Sequence, residues 1–158
     1  VVDRELQQGI RAGAGLADAL GSERASEIYR HRRSVITGLV REAGGLAAGR
    51  DLLLMATDDP QVTGPDVGVE LAGVEAAGFV LKCWDDEEAA IARMKSAAGR
   101  TGVPLVANVN ALGERPSELP ALAARLVAAG ASEVRYYHAG LASPARQAAI
   151  RAAVQEVA

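Results

Sequence analysis

Two kinds of hydrophobic pattern divide this chain. From Ser22 onward, Ala25, Ile28, Tyr29, Val35, Ile36, Leu39, Val40 and Ala43 recur at the spacing of one helix face, with Ser22 placed to cap the start and Gly44-Gly45 to stop it. The stretch before it, Asp3 to Leu20, has a similar period but carries Gly9, Gly13 and Gly15. Each glycine costs a helix interior about 1 kcal/mol relative to alanine, so a broken helix is expected there. Beyond Gly45 the pattern changes to short apolar runs of strand length: Asp51 to Thr57, Phe79 to Trp84, Val103 to Asn110 and Glu133 to His138. Helical segments follow them, at about Val67 to Ala77, Glu87 to Ala98, Glu118 to Ala129 and Pro144 to Val157. The expected caps are Asp66, Asp85 with Glu88 three residues on, Ser117, and Ser143 ahead of Pro144. Three of these helices run into Ala-Ala-Gly, at Gly78, Gly99 and Gly130, where glycine can take the left-handed C-terminal position.

The strand-helix unit therefore occurs four times, at a spacing that suits right-handed parallel crossovers. The chain reads as a single α/β domain over 1–158, with a helical lead-in over 1–45 and four βα repeats over 51–158. No Gly-x-Gly-x-x-Gly follows any strand, and no Gly-x-x-x-x-Gly-Lys-Ser/Thr occurs, so the common nucleotide-binding sheets have no support. Near-equal repeats without such a loop suit half of a (β/α)₈ barrel; a flavodoxin-like three-layer sheet is the alternative.

In a barrel strand, alternate residues face the helices and must be apolar. That rule turns Leu53, Met55 and Thr57 inward from the first strand, Val80, Lys82 and Trp84 from the second, Val106, Asn108 and Asn110 from the third, and Arg135 and Tyr137 from the fourth. Lys82, Asn108 and Arg135 then form one layer, with Thr57, Trp84, Asn110 and Tyr137 above it at the C-terminal ends, where barrel enzymes bind substrates. A lysine, an arginine and two amides suit an oxygen-rich or anionic small molecule, and Trp84 and Tyr137 suit the face of a sugar. Lys82, one of only two lysines, is the sharpest signal: a desolvated strand lysine can form a Schiff base with a carbonyl substrate, and it can equally be held in an ion pair. Asp58, Asp59 and Asp85 follow strands at the same rim as candidate acid/base groups; Asp85 also suits a helix cap, and Asp58 and Asp59 suit the turn before Pro60. His138 ends the last strand as a ligand-binding candidate or a packing residue. His31 falls on the polar side of a long helix, and Cys83 reads as a small core residue.

Composition narrows the classes. Of 158 residues, 49% are hydrophobic and 23% charged, which allows a sizeable core, and with aromatics at 3% that core must be aliphatic. A net charge of −3 argues against general nucleic-acid binding. No apolar run spans a bilayer and no secretory pattern opens the chain, so the expected compartment is the cytoplasm. One cysteine excludes an internal disulfide, no histidine-carboxylate cluster has ligand spacing for a metal, and no cofactor is expected. A complete (β/α)₈ barrel takes about 250 residues. Four units in a chain that starts with Val suggest a half that self-associates or lacks an N-terminal half-barrel.

The segment from Val134 to Arg151, in which an aromatic strand leads through Gly140-Leu141 to a helix with Ile150-Arg151, resembles the last strand and helix of bacterial glycoside-hydrolase-like TIM barrels. The long helix with Tyr29-Arg30 and Arg32-Arg33, leading to the strand at Leu52, is similar to the segment before their fifth strand. The resemblance implies a carbohydrate-active protein that binds a sugar or sugar acid at the strand C-termini. Retaining members place an acid/base carboxylate after strand four, here upstream of Val1, and a nucleophilic Glu on strand seven, where this chain has Asn108 and Asn110. Either Asp58 or Asp85 serves instead, the strand count differs, or the chemistry is another. A Schiff-base lyase or aldolase using Lys82 and a non-catalytic half-barrel assembly domain stand beside the carbohydrate reading.

Overall fold

The computed structural model describes residues 16–47, 49–56, 71, 74–84, 86–113 and 115–157. A short helix α1 (Leu16–Leu20) and a long helix α2 (Ser22–Leu46) precede strand β1 (Leu53–Ala56). Then come β2 (Gly78–Cys83), α3 (Glu87–Ala98), β3 (Leu105–Asn110), α4 (Leu119–Ala128), β4 (Glu133–Tyr137) and α5 (Pro144–Glu156). The four strands form one sheet in the order β1-β2-β3-β4, and every neighbouring pair is parallel. The protein is thus α/β, with an all-parallel sheet. Among the described residues, no helix is long and apolar enough to cross a membrane.

Alternation along the strands sorts the side chains onto two faces. Leu54, Ala56, Phe79, Leu81, Cys83, Leu105, Ala107 and Val109 face α3, α4 and α5 and make up most of the core with Ala90, Ile91, Met94, Leu119, Ala123, Leu126 and Ala153. In α3 the buried positions Ala90, Ile91, Met94 and Ala97 make one helical stripe, and in α4 Leu119, Ala123 and Leu126 do the same. Cys83 is buried among them, its thiol 3.6 Å from the Leu81 carbonyl oxygen. The opposite face carries two rows: Met55, Val80, Val106 and Glu133 lie in one register, and Lys82, Asn108 and Arg135 in the next.

The element starts and stops correct several expectations. The cap of α3 is Asp86 and not Asp85: its carboxylate accepts from the backbone N–H groups of Glu88 and Ala89, both at 3.1 Å. Ser117 caps nothing, because Pro116–Glu118 forms a 3₁₀ turn that leads straight into α4. Gly21, at φ 80, separates α1 from α2 and takes the capping position one residue before Ser22. Ser143 behaves as expected, accepting from Arg146 N–H with Pro144 opening α5. Of the three terminal glycines only Gly130 is left-handed, at φ 112, while Gly99 stays right-handed at φ −76.

Gly78 belongs to a strand. Residues 74–77 are not helical, and Ala77 N–H already donates to the Leu52 carbonyl at 2.9 Å, starting the β1–β2 ladder. A Cβ on Gly78 would meet the Pro104 carbonyl oxygen at 2.8 Å, so the glycine is required by a close strand approach and not by a helix end. Of the rest of the helix expected over Val67 to Ala77, Leu71 is a buried bend and the other residues lie outside the described ones, as do its cap Asp66 and most of the helix expected over Asp3 to Leu20.

Candidate functional site

The site grows from the register of three strands. Parallel pairing sets Lys82 of β2 opposite Asn108 of β3, and Asn108 opposite Arg135 of β4, so three polar side chains make one line across the open face. The row beneath, Val80 and Val106, is buried, which gives the polar line an apolar floor. One step further toward the C-terminal ends, Asn110 pairs with Tyr137, and Trp84 follows directly on β2.

Trp84 and Tyr137 come from strands on either side of β3, yet their rings stack, with centroids 4.7 Å apart and planes 23° apart. The Lys82 ammonium lies 5.7 Å from the Trp84 ring centroid, within reach of its π face. His138 also closes on Tyr137, with centroids 3.7 Å apart and planes tilted by 51°. Consecutive strand residues ordinarily point to opposite faces. His138 escapes that rule because it is left-handed at φ 63, the single non-glycine residue of positive φ among the described residues. This conformation costs of order 1–3 kcal/mol, and here it brings the imidazole to the ring of its neighbour.

Charge in the row is partly neutralised from within. Glu133, two residues before Arg135 and on the same face, accepts from Arg135 Nε at 2.6 Å and Nη2 at 3.2 Å. Hydrogen bonding to Arg135 holds the Glu133 carboxyl below the ordinary carboxylate range, and the same bond raises the guanidinium. The Nη1 amine of Arg135 is not engaged by that pair, leaving donors directed elsewhere than at Glu133. Asn110 uses its side-chain oxygen to accept from Leu112 N–H at 3.0 Å, which fixes the turn after β3.

Beside the aromatic pair a cavity of about 250 Å³ opens between the ends of β2 and β3 and the starts of α3 and α4. Trp84 and Asn110 line it together with Asp86, Glu87, Arg115 and Glu118. Its carboxylates are engaged: Glu87 and Glu88 both hold Arg125, Glu118 pairs with Arg115 at 3.0 Å, and Asp86 caps α3. A larger hollow of about 760 Å³ lies at the opposite end of the sheet, against the last turns of α2. The negative end of the α2 dipole disfavours an anion there, and no strand row converges on it.

Of the residues singled out in the sequence, Lys82, Trp84, Asn108, Asn110, Arg135, Tyr137 and His138 are brought together. Thr57, Asp58, Asp59 and Asp85 lie outside the described residues. His31 is exposed on α2. Glu133 was missed, although the parity that turns Arg135 inward turns Glu133 inward too. Glu87 and Glu118 reach the rim through helix starts, where strand alternation has no bearing. Among the described residues no three His, Cys, Asp or Glu side chains come together in a way that could hold a metal ion. Comparison with protein-family models, curated proteins and solved structures finds no match for this chain.

Proposed function

We propose that this chain is half of a glycoside-hydrolase-like (β/α)₈ barrel and binds a sugar or sugar acid at the C-terminal ends of its strands. The consecutive strand order supports the barrel, because right-handed crossovers between strands taken in sequence put every helix on the same face. A flavodoxin-like sheet reverses at a switch point, giving the order 2-1-3-4-5. Binding is carried by one observation: the in-register line of Lys82, Asn108 and Arg135 under a Trp84–Tyr137 pair. The cations and amides suit carboxylate and hydroxyl oxygens, and the rings suit the apolar face of a pyranose. Among the described strand residues on this face Glu133 is the single carboxylate, and Arg135 engages it, so these residues serve recognition; a hydrolytic step would draw on Asp58 or Asp85.

Calorimetric titration with glucuronate, galacturonate, their neutral parent sugars and aryl glycosides tests the reading. Sugar acids are expected to bind more tightly than the neutral sugars. Absence of both heat and turnover across the whole set would refute it.

A further inference from the structure

The stacked rings of Trp84 and Tyr137 stand on strands that are not neighbours. β2 and β4 flank β3, so their backbones are about 9.5 Å apart, two inter-strand spacings. Side chains rising straight from such strands leave a slot, and a ring held between two aromatic faces needs about 7–8 Å, one carbon contact of 3.5–4 Å on each side. The observed centroid separation is 4.7 Å, so the two rings meet across β3 at the level of Asn110. Their facing surfaces are consumed by each other. Lys82 also approaches the Trp84 ring, and His138 the Tyr137 ring. A sugar therefore cannot enter between the two rings in this arrangement.

We propose that Trp84 and Tyr137 are the two jaws of an aromatic clamp, closed on itself in the free protein, that opens to hold one sugar-acid pyranose ring between them. This rests on the sugar-acid reading of the site and fixes how the ring is held. Asn110 lies between the jaws, and the line of Lys82, Asn108 and Arg135 lies two residues deeper along each strand, about 6.6 Å. A pyranose standing in the slot presents its two apolar faces to the rings and directs its carboxylate down to Lys82 and the Nη1 side of Arg135. Both jaws have room to swing outward, being 41% and 40% exposed. His138 contacts the Tyr137 ring in the closed clamp.

Trp84 is the only tryptophan, so its indole protons report the clamp without interference. The experiment is an NMR titration of the full chain with glucuronate and galacturonate, run beside calorimetry, with benzoate as an aromatic acid for comparison. The free protein should show cross-relaxation between Trp84 and Tyr137 ring protons. Saturating uronate should remove it and replace it with contacts from the same sugar protons to both rings. Tyr137→Leu should weaken uronate binding about tenfold while Tyr137→Phe stays within about twofold. Heat of uronate binding with the Trp84–Tyr137 cross-relaxation intact overturns the clamp and leaves the sugar-acid reading standing. No heat with either uronate, whatever benzoate does, overturns the sugar-acid reading and this ligand for the clamp with it.

Discussion

Lys82 and Arg135 share a row but differ in what each can offer a ligand. Arg135 is tied to Glu133, an exposed pair worth no more than about 1 kcal/mol to stability, so its role is oriented donation with little net charge. On the sugar-acid reading Lys82 is the second cation of the row. Replacing it with methionine should reduce affinity for a sugar acid about tenfold while leaving the neutral parent sugar within about twofold, as read by calorimetry. For Glu133, whose folded carboxyl is lowered, the pair is intact above the ordinary glutamate range and is lost as pH falls through the lowered value. Carbon-detected NMR should find Glu133 titrating below the ordinary range, and back within it in Arg135→Gln. Tyr136, on the helix side of β4, has the opposite sign. Burial raises its phenol above 10.0, and its hydroxyl has no hydrogen-bond partner among the described residues. The unfolded chain ionises first, so stability is constant below pH 10.0 and falls as pH climbs toward the raised value. Tyr136→Phe should remove that alkaline loss and add about 1 kcal/mol in urea unfolding, since an unpaired buried hydroxyl is deleted. Strand parity made the row of Lys82, Asn108 and Arg135 legible in the sequence, and it held Glu133 as well. What parity could not give is the lean of Trp84 onto Tyr137 or the left-handed turn at His138, both of which depend on side-chain and backbone torsions beyond the last strand residue.

At the scale of elements, the strands and the three helices that follow β2, β3 and β4 were readable because apolar alternation and helical stripes are set by burial on one face. The ends were less readable, because caps are decided by individual torsions. Asp85-Asp86 offers two equivalent carboxylates, and only backbone geometry selects Asp86. Ala-Ala-Gly proved to be three different things: a strand start packed against Pro104, a right-handed end, and at Gly130 a true left-handed stop. Gly130 is doubly constrained, since a Cβ there would also lie 2.7 Å from the Cβ of Ala98 at the end of α3. Gly130→Ala should therefore lower unfolding free energy by about 1–3 kcal/mol, whereas Gly99→Ala, at φ −76 with its nearest neighbours in ordinary contact, should change it little. The denaturation midpoints of the two variants separate these cases.

For the whole molecule, what matters is that among the described residues the sheet is open at both sides: β1 pairs only with β2, and β4 only with β3. Each edge leaves a row of backbone N–H and C=O groups able to template another strand. Exposed apolar side chains occur on α2 as well, where Ile28, Val35, Leu39 and Leu46 fall on one side of the helix at spacings of seven and four. On the half-barrel reading, a two-fold rotation about the barrel axis would bring β4 beside a partner's β1 and β1 beside its β4, all strands remaining parallel. One operation then satisfies both edges, which is why a closed pair is favoured over an open chain of copies. Sedimentation velocity should accordingly find a dimer whose proportion rises with concentration. Breaking the β4 edge, by Val134→Pro, should shift the population to monomer. A chain that sediments as a monomer at all concentrations would count against self-closure, and the sheet would then need a different half to cover it.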